Sequence, residues 1–396
     1  MDVMDFTMDG DEGEEEPSAN TTFNNQRNHT MMQAGIVNNP TFNITQGGIH
    51  PMKKTKFSYD VSLDLPFPRN RNFTSRRTEL EAIDIYFSGY AYGGAPIYAI
   101  TGTGGVGKTQ IALEYAYTRY AARRFTAIFW ISTATEESIQ GSFLEIMQQI
   151  IDEQARASWP EPFDYETIGM GLGVSGLIDG NGRISRDSDP SLIQSALFNW
   201  FKLPGNDKWL LIFDNADDLS FGVDKYFPNR GGYILVTSRR PEFSHCAEQA
   251  NLDGLDEESA TNLLLHLARL RSPTQNEIQQ ATEVVKKLGF LPLAITHAGC
   301  FIHEMNIPMK EYLRYYDNTF KEAQSKIPKV GWLYREDTAV TTWEISFAEI
   351  QKQDEQAAAI LLTCGYLRCN NIPETLWGSE DGKYDPVFEI QRKFIF

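Results

Sequence analysis

Residues 97–109 read Ile-Tyr-Ala-Ile-Thr-Gly-Thr-Gly-Gly-Val-Gly-Lys-Thr, and this stretch decides the fold. Its first five residues are mostly apolar and β-favouring, which is typical of a buried strand. The glycines that follow predict a tight loop. After the loop, apolar residues recur at helical spacing at Ile111, Ala112 and Tyr115, so a helix begins near Lys108. This order of strand, loop and helix predicts an α/β fold with a parallel sheet.

The loop itself fits the P-loop pattern G-x-x-x-x-G-K-[ST], which binds nucleotide phosphates. Glycines let backbone N–H groups surround an anion, and the positive end of the helix dipole adds to the attraction. Lys108 is predicted to reach the β- and γ-phosphates, and the Thr109 hydroxyl to bind Mg²⁺. The alternative is a glycine-rich turn without a ligand. The predicted nucleotide-binding residues of this segment are Gly102, Thr103, Gly104, Gly105, Val106, Gly107, Lys108, Thr109 and Gln110.

A second apolar run, residues 209–214, ends in a carboxylate. An apolar strand that ends in Asp is common, but beside a P-loop Asp214 is predicted to hold Mg²⁺ together with Thr109. The next residue is Asn215, where an active hydrolase often carries a second acid, and an amide cannot accept a proton as a general base. Asp217 and Asp218 follow closely, but the sequence does not show that either faces the nucleotide. Slow hydrolysis is therefore predicted.

A third apolar run, residues 232–237, is followed by Ser238 and Arg239. The carboxyl end of such a strand lies at the sheet edge where ligands bind in open α/β folds. Arg239 is predicted to sense a γ-phosphate, because charge-assisted bonds to phosphate suit arginine. The alternative is a solvated arginine at a strand end. The predicted catalytic residues are Lys108, Asp214 and Arg239.

These elements, together with residues 287–294 (Lys-Leu-Gly-Phe-Leu-Pro-Leu-Ala), carry a family resemblance. Over residues 70–350 the chain resembles the NB-ARC domain of the STAND class of P-loop ATPases, the nucleotide switch of NOD-like receptors. The sequence of residues 209–218 and the glycine-rich stretch 168–182 are similar to the corresponding segments of fungal members.

The resemblance implies a cytoplasmic ADP/ATP switch with Mg²⁺, ADP-bound at rest and ATP-bound when it self-associates through its nucleotide domain. It implies that Pro292 packs against adenine. Residues 73–76 are similar to the upstream base-contacting element and add Arg76 to the predicted nucleotide-binding residues. Ser75 stands where the family usually has glycine.

The resemblance also exposes a missing element, because the family usually has a Met-His-Asp sequence in its winged-helix module. None of the six histidines is followed by Asp. The chain ends at Phe396, where the resemblance places the winged-helix module, and no repeat array follows. We therefore expect either a fragment of a longer receptor or a short product that lacks its sensor.

Composition predicts the domain organisation. Residues 1–56 are acidic and then rich in Asn, Thr and Gln, so a disordered tail is predicted. Residues 57–75 are predicted as a linker, 76–250 as the P-loop domain with strands near 97–101, 126–132, 208–214 and 233–237, 251–332 as a helical ARC module, and 333–396 as a partial winged-helix module. Residues 159–190, rich in Gly and Pro, are predicted to form a loop.

Smaller features refine these modules. Asp256 is predicted to cap the first helix of the ARC module. The winged-helix core is expected to contain Trp343, Ile345, Phe347 and Ile350. Within the tail, residues 33–50 partly alternate apolar and polar residues and are Asn/Gln-rich, which favours cross-β stacking in an amyloid-type signalling segment. The alternative is a disordered linker, which Pro40 supports.

Charge excludes several classes of partner. The net charge is −17, and eight acidic residues lie within the first sixteen positions. Such a chain has no broad positively charged surface for nucleic acid or an anionic membrane.

The sequence contains no long apolar run that predicts a membrane span, and its four cysteines form no C-x-x-C pair.

Three functions remain open from the sequence. The leading hypothesis is a signalling switch of the innate-immunity or programmed-cell-death type, at most a slow ATPase. The second is a constitutive P-loop ATPase that uses hydrolysis for work. The third is an adaptor whose N-terminal tail seeds β-assembly in an unknown signalling protein.

Overall fold

The computed structural model describes residues 58–91, 93–157, 164–218, 220–241, 248–326 and 336–364. Its centre is a five-stranded sheet with the order β2-β3-β4-β1-β5, and every pair of neighbouring strands is parallel. The strands are β1 Ile97–Thr101, β2 Ala127–Ser132, β3 Trp209–Asp214, β4 Tyr233–Ser238 and β5 Glu248–Asn251. Because all strands run the same way, their carboxyl ends meet at one edge, which positions the functional side chains.

Helices cover both faces of this sheet, so the predicted α/β P-loop NTPase fold is confirmed. One face packs against α1 and α2, and the other against α3, α4 and α5. The side chains of β3 before Asp214 are completely buried, as expected for an inner strand covered on both sides. These helices are α1 Arg77–Gly89, α2 Lys108–Ala121, α3 Glu136–Ala157, α4 Tyr165–Leu172 and α5 Pro190–Phe201.

All the regular secondary structure in the described part of the chain after β5 is helical. Asp256 caps the first of these helices by accepting a hydrogen bond from Ser259 N at 2.8 Å, as the sequence predicts. Thr274 and Glu277 form a reciprocal capping box at the next helix. The helices are α6 Glu257–Leu267, α7 Gln275–Lys287, α8 Pro292–Glu304, α9 Met309–Lys326, α10 Glu336–Gln353 and α11 Glu355–Cys364.

The prediction of a loop over residues 159–190 was wrong in part. Helix α4 lies inside it, because Asp164 accepts hydrogen bonds from two backbone N–H groups at its start. Gly173 ends the helix in a left-handed conformation with φ 78°. A single antiparallel bridge then joins Ile178 to Ile184. Buried Ile168 and Leu172 fix α4, and this packing outweighs the glycine content.

Two further features differ from the sequence expectations. Trp343 was predicted to be core, but it is 49 % exposed and stacks on Phe347 with ring centroids 5.2 Å apart. The edge strand β5 was not predicted, because its sequence Glu-Gln-Ala-Asn lacks an apolar pattern. The predicted tail 1–56, with its segment 33–50, the side chain of Ile345, and residues 365–396 lie outside the described residues.

Candidate functional site

A cavity of about 430 Å³ lies at the carboxyl edge of the sheet. Its walls come from the P-loop, from the ends of β3 and β4, from the upstream residues 70–76, and from α6 and α8. The structure therefore brings most of the predicted site residues around one space. A space of this size is within the usual range of small-molecule sites.

The loop needs glycine for steric reasons that the structure makes explicit. Gly102 has φ 141°, and a Cβ atom there would lie 2.6 Å from the carbonyl oxygen of Leu252. Gly107 has φ 103° and immediately precedes α2. Residues other than glycine rarely adopt either backbone conformation. The backbone of the loop is thus fixed in the shape that lets its N–H groups surround an anion.

Lys108 is anchored across the loop it follows. Its Nζ atom donates to the carbonyl oxygens of Gly102 at 2.9 Å and Thr103 at 3.0 Å. Because Lys108 is also the first residue of α2, its charge lies at the positive end of the helix dipole. Two positive features thus converge on the cavity, which suits a polyanionic ligand.

Asp214 lies at the centre of a hydroxyl network. Its Oδ1 accepts hydrogen bonds from Thr109 Oγ1 at 2.8 Å and from Thr237 Oγ1 at 2.6 Å. Burial raises the pKa of Asp214, and the two hydroxyl groups and Lys108 partly oppose this shift. Asp214 itself does not line the cavity, but Thr109 and Thr237 do.

Sequence reasoning missed Thr237. The register that pairs Phe213 with Val236 places Thr237 beside Asp214 on the neighbouring strand. A hydroxyl residue at the end of an apolar run next to the Asp-bearing strand was the available signal. Thr237 is 1 % exposed, and the partners of its hydroxyl group are Asp214 Oδ1 and the backbone N–H of Asn215.

The arrangement fits Mg²⁺ held jointly with phosphates. A hydroxyl and a carboxylate already in contact, Thr109 and Asp214, are oxygen ligands of the kind Mg²⁺ prefers. The described part of the chain contains no cluster of three His, Cys, Asp or Glu side chains that could hold a metal by itself. Such a site would therefore depend on phosphate oxygens to complete it.

Asn215, at the position where an active hydrolase often carries a second acid, lines the cavity. It has φ 64°, and its N–H donates to Thr237 Oγ1 at 3.0 Å. None of the described residues that line this cavity is a carboxylate. The walls therefore supply cations, hydroxyl groups and amides, but no acidic group to accept a proton.

Arg239 also lines the cavity, as the sequence predicted for its position at the end of β4. Its Nε lies 2.9 Å from Asp217 Oδ2. A Cβ atom at Gly104 would stand 4.0 Å from Arg239 Nη1, so the guanidinium faces the P-loop. The sequence had left Asp217 without a role, and the structure pairs it with this arginine.

Arg76 lines the same cavity, but its hydrogen bonds go to the protein. It is 7 % exposed and donates to the carbonyl oxygen of Asp253 at 2.7 Å and to Glu79 Oε1 at 2.8 Å. Ser75 has φ 53°, the left-handed region in which glycine is favoured. This conformation explains why a glycine would suit the position where the chain has Ser75.

Pro292 reaches the cavity from the other side, at the first turn of α8. The next residue, Leu293, donates its N–H to the carbonyl oxygen of Gly105 at 3.2 Å. A Cβ atom at Gly105 would lie 3.0 Å from that of Leu293, so the glycine permits this approach. Helix α8 is therefore docked directly on the P-loop.

Gln110 and two asparagines that the sequence did not single out complete the rim. Gln110 Oε1 accepts from Asn70 Nδ2 at 3.0 Å, and Asn72 Oδ1 lies 3.2 Å from His266 Nε2. The upstream segment is thus connected both to α2 and to α6.

None of the helices in the described part of the chain combines the length and the apolar character that a membrane span requires.

Comparison with known proteins adds one relative in sequence. A nucleotide-binding leucine-rich repeat (NLR)-like protein of Hyaloscypha variabilis is 27 % identical over 343 residues. The match covers 80 % of this chain and 32 % of that protein, so the chain spans about a third of the relative's length. No protein-family model matches the chain.

Two solved structures are similar to the chain at low scores. A Walker-type ATPase of Pyrococcus abyssi has a TM-score of 0.42 and 14 % identity, covering 84 % of this chain and 93 % of that one. A STAND protein with a tetratricopeptide repeat sensor from Pyrococcus horikoshii has a TM-score of 0.35 and 15 % identity, covering 72 % and 40 % respectively. At these scores neither likeness carries an inference about this chain.

Proposed function

We propose that this chain is an ADP/ATP-binding switch of a signalling protein, with ADP bound at rest and ATP bound in the active state. One observation carries the proposal. The cavity is walled by the P-loop on one side and by the first turn of α8 on the other, and the two are hydrogen-bonded through Leu293 and Gly105. A nucleotide in this cavity would touch both the sheet domain and the helices, so its identity can bias how they are held together.

Each end of the nucleotide has a proposed set of partners. The P-loop backbone and Lys108 take the phosphates, while Thr109 and Asp214 hold Mg²⁺, which neutralises phosphate charge when bound. Arg239 contacts the γ-phosphate. The base lies between the upstream residues 70–76 and Pro292. Arg76 holds the upstream residues in place by donating a hydrogen bond to the carbonyl oxygen of Asp253.

Switching requires a difference in affinity between two states. Reversing a 1:99 population takes roughly 5.5 kcal/mol of differential binding. The γ-phosphate contacts of Lys108, Thr109 with its Mg²⁺, and Arg239 are the proposed source. In the ATP state the nucleotide domain self-associates and signals to a cytoplasmic partner, in a pathway of the innate-immunity or programmed-cell-death type; the NLR-like relative supports this class.

The competing function is a constitutive ATPase. The amide of Asn215 and the absence of a carboxylate among the described cavity-lining residues disfavour it, because rapid hydrolysis needs a proton acceptor near the attacking water. Steady-state turnover separates the two. A rate of about 1 s⁻¹ or more, within the ordinary enzyme range, would favour the ATPase.

Calorimetric titration with ADP and Mg²⁺ tests the binding site. Lys108→Ala is expected to abolish measurable binding while the protein stays folded, because the ammonium group is the positive charge anchored within the loop. Lys208→Ala removes the same charge at the amino end of β3 and is the matched control, for which unchanged affinity is expected. Undiminished ADP affinity in Lys108→Ala would refute the proposal.

A further inference from the structure

Asp217 contacts a residue of the cavity wall, Arg239, but has no role in the proposed function. Its carboxylate makes two contacts with Arg239, the residue after β4, since Oδ1 accepts the backbone N–H at 2.6 Å and Oδ2 lies 2.9 Å from Nε. Oδ1 also accepts from Ser238 Oγ, at the end of β4, at 3.3 Å. One side chain therefore holds both the backbone and the guanidinium of the same arginine. Its side chain is 24 % exposed, against 55 % for that of Arg239.

The turn that presents Asp217 is itself tied to β4. Asn215, the first residue after β3, has φ 64°, in the left-handed region. Ala216 then donates to the carbonyl oxygen of Thr237 at 2.8 Å and accepts from Ser238 Oγ at 2.7 Å. Because Ala216 is hydrogen-bonded to both Thr237 and Ser238, the next residue, Asp217, has a fixed position relative to Arg239.

The geometry of the guanidinium decides what this contact does. Arginine has five N–H donors, and Asp217 uses the Nε edge. The Nη1 atom lies on the other side, near Gly104 of the P-loop. A carboxylate at the Nε edge can orient the plane of the guanidinium while the η donors remain directed at the cavity.

We infer that Asp217 is a positioning residue, which holds the guanidinium of Arg239 toward the γ-phosphate of a triphosphate and so favours ATP over ADP. The inference rests on the proposed function. An exposed arginine without this support would sample many rotamers, and ordering them would reduce the affinity gained from its phosphate contact. Asp217 removes that cost before the nucleotide binds.

The test compares ADP with the non-hydrolysable analogue AMP-PNP by calorimetry, in the presence of Mg²⁺. In Asp217→Ala the affinity for AMP-PNP is expected to fall about tenfold, the size of one lost charge-assisted contact, with ADP affinity unchanged. Asp217→Asn keeps one carbonyl acceptor and is expected to lose less. Asp218→Ala is the matched control, because this neighbouring exposed aspartate bonds its own turn at Ser220 N.

A double-mutant cycle separates positioning from a structural role. On an Arg239→Ala background, Asp217→Ala is expected to cause no further loss of AMP-PNP affinity. Equal losses for both nucleotides would show that Asp217 only stabilises the turn, and a gain for AMP-PNP would show that it competes with the phosphate. Either result overturns the inference. Wild-type protein that binds neither nucleotide would instead overturn the proposed function.

Discussion

The two ends of the cavity are built in different ways. At the end proposed to bind the phosphates, the phosphate end, the loop 102–109 is shaped by its own glycines and follows β1 at the sheet edge where β3 and β4 also end. At the end proposed to bind the nucleotide base, the base end, residues 72–76 form hydrogen bonds with partners far along the chain. Arg76 donates to the carbonyl oxygen of Asp253, Ser75 donates to Asp256, and Asn72 Oδ1 lies within hydrogen-bond distance of His266 Nε2. These partners are 177, 181 and 194 residues away in sequence.

This difference separates the part proposed to bind the phosphates from the part proposed to respond to the nucleotide. The phosphate end is held by backbone geometry and buried strands, so it has one shape. The base end joins residues 72–76 to α6 and to the residues just before it through side-chain hydrogen bonds, two of which are exposed. If α6 moves when the nucleotide changes, these side-chain bonds must break, and a movement of α8 would also break the bond between Leu293 and Gly105.

The largest expected effect breaks the phosphate end by adding a single methyl group. In Gly102→Ala, the new Cβ would lie 2.6 Å from a backbone oxygen, at a φ of 141° that alanine rarely adopts. We expect a loss of roughly 3 kcal/mol or more in unfolding free energy, the upper range for local backbone strain. Chemical denaturation measures the stability, and calorimetry with ADP should show that binding is lost as well.

The same substitution in a helix provides the control. Gly141 lies inside α3, and a Cβ atom there would meet nothing within 4 Å. Gly141→Ala should stabilise the protein by about 0.5–1 kcal/mol and leave ADP affinity unchanged. Equal stabilities for the two variants would mean that the loop does not need its glycine.

A smaller effect at the phosphate end appears in the pH dependence of stability. Burial raises the pKa of Asp214 above its ordinary value of 3.8, so the folded state binds this proton more tightly than the unfolded state does. The stability that this proton contributes is present below pH 3.8 and is lost as pH rises through the folded-state pKa. Asp214→Asn removes the titration, so its stability relative to wild type should rise across that window. Urea unfolding at a series of pH values measures the difference.

The sequence predicted the phosphate end better than the base end for a physical reason. The positions from Gly102 to Thr109 are read from one contiguous pattern, and Asp214 and Arg239 each end an apolar run whose parallel pairing brings them to one edge. Thr237 was missed because its role depends on strand register, which a single apolar run does not specify.

The base end could not be predicted residue by residue, because its partners are set by how the modules pack. Nothing in the sequence of residues 70–76 indicates that Asn72 meets His266 or that Arg76 bonds to the carbonyl oxygen of Asp253. The resemblance named Pro292 and Arg76 as binding residues, and the structure places both at the cavity. It did not indicate that the bonds of Arg76 go to the protein.

Asp256 gives the base end a pH dependence of the opposite sign. It caps α6, and hydrogen bonds from Ser259 lower its pKa to about 2. Its stabilising contribution is therefore present above 3.8 and is lost as pH falls toward 2. Asp256→Ala should cost about 1 kcal/mol near neutral pH, the usual value of a lost cap.

Asp256→Ser is the matched control, because a hydroxyl restores the cap without a titrating group. Its stability should be close to that of wild type near neutral pH, and it should lack the acid-dependent loss that wild type shows between 3.8 and 2. If Asp214→Asn and Asp256→Ala showed pH slopes of the same sign relative to wild type, the electrostatic contrast between the two ends would be wrong.

The smallest expected effect concerns the exposed pair of Asn72 and His266, whose polar atoms are 3.2 Å apart. Asn72→Ala should reduce ADP affinity by about threefold or less, since a surface hydrogen bond is worth roughly 0.5 kcal/mol. Inorganic pyrophosphate is the informative second ligand, because it occupies the phosphate end alone. Its affinity should be unchanged in Asn72→Ala, whereas Lys108→Ala should weaken both ligands. A parallel loss of pyrophosphate affinity in Asn72→Ala would mean that the two ends form one cooperative unit, and that the helices cannot loosen at the base without releasing the phosphates.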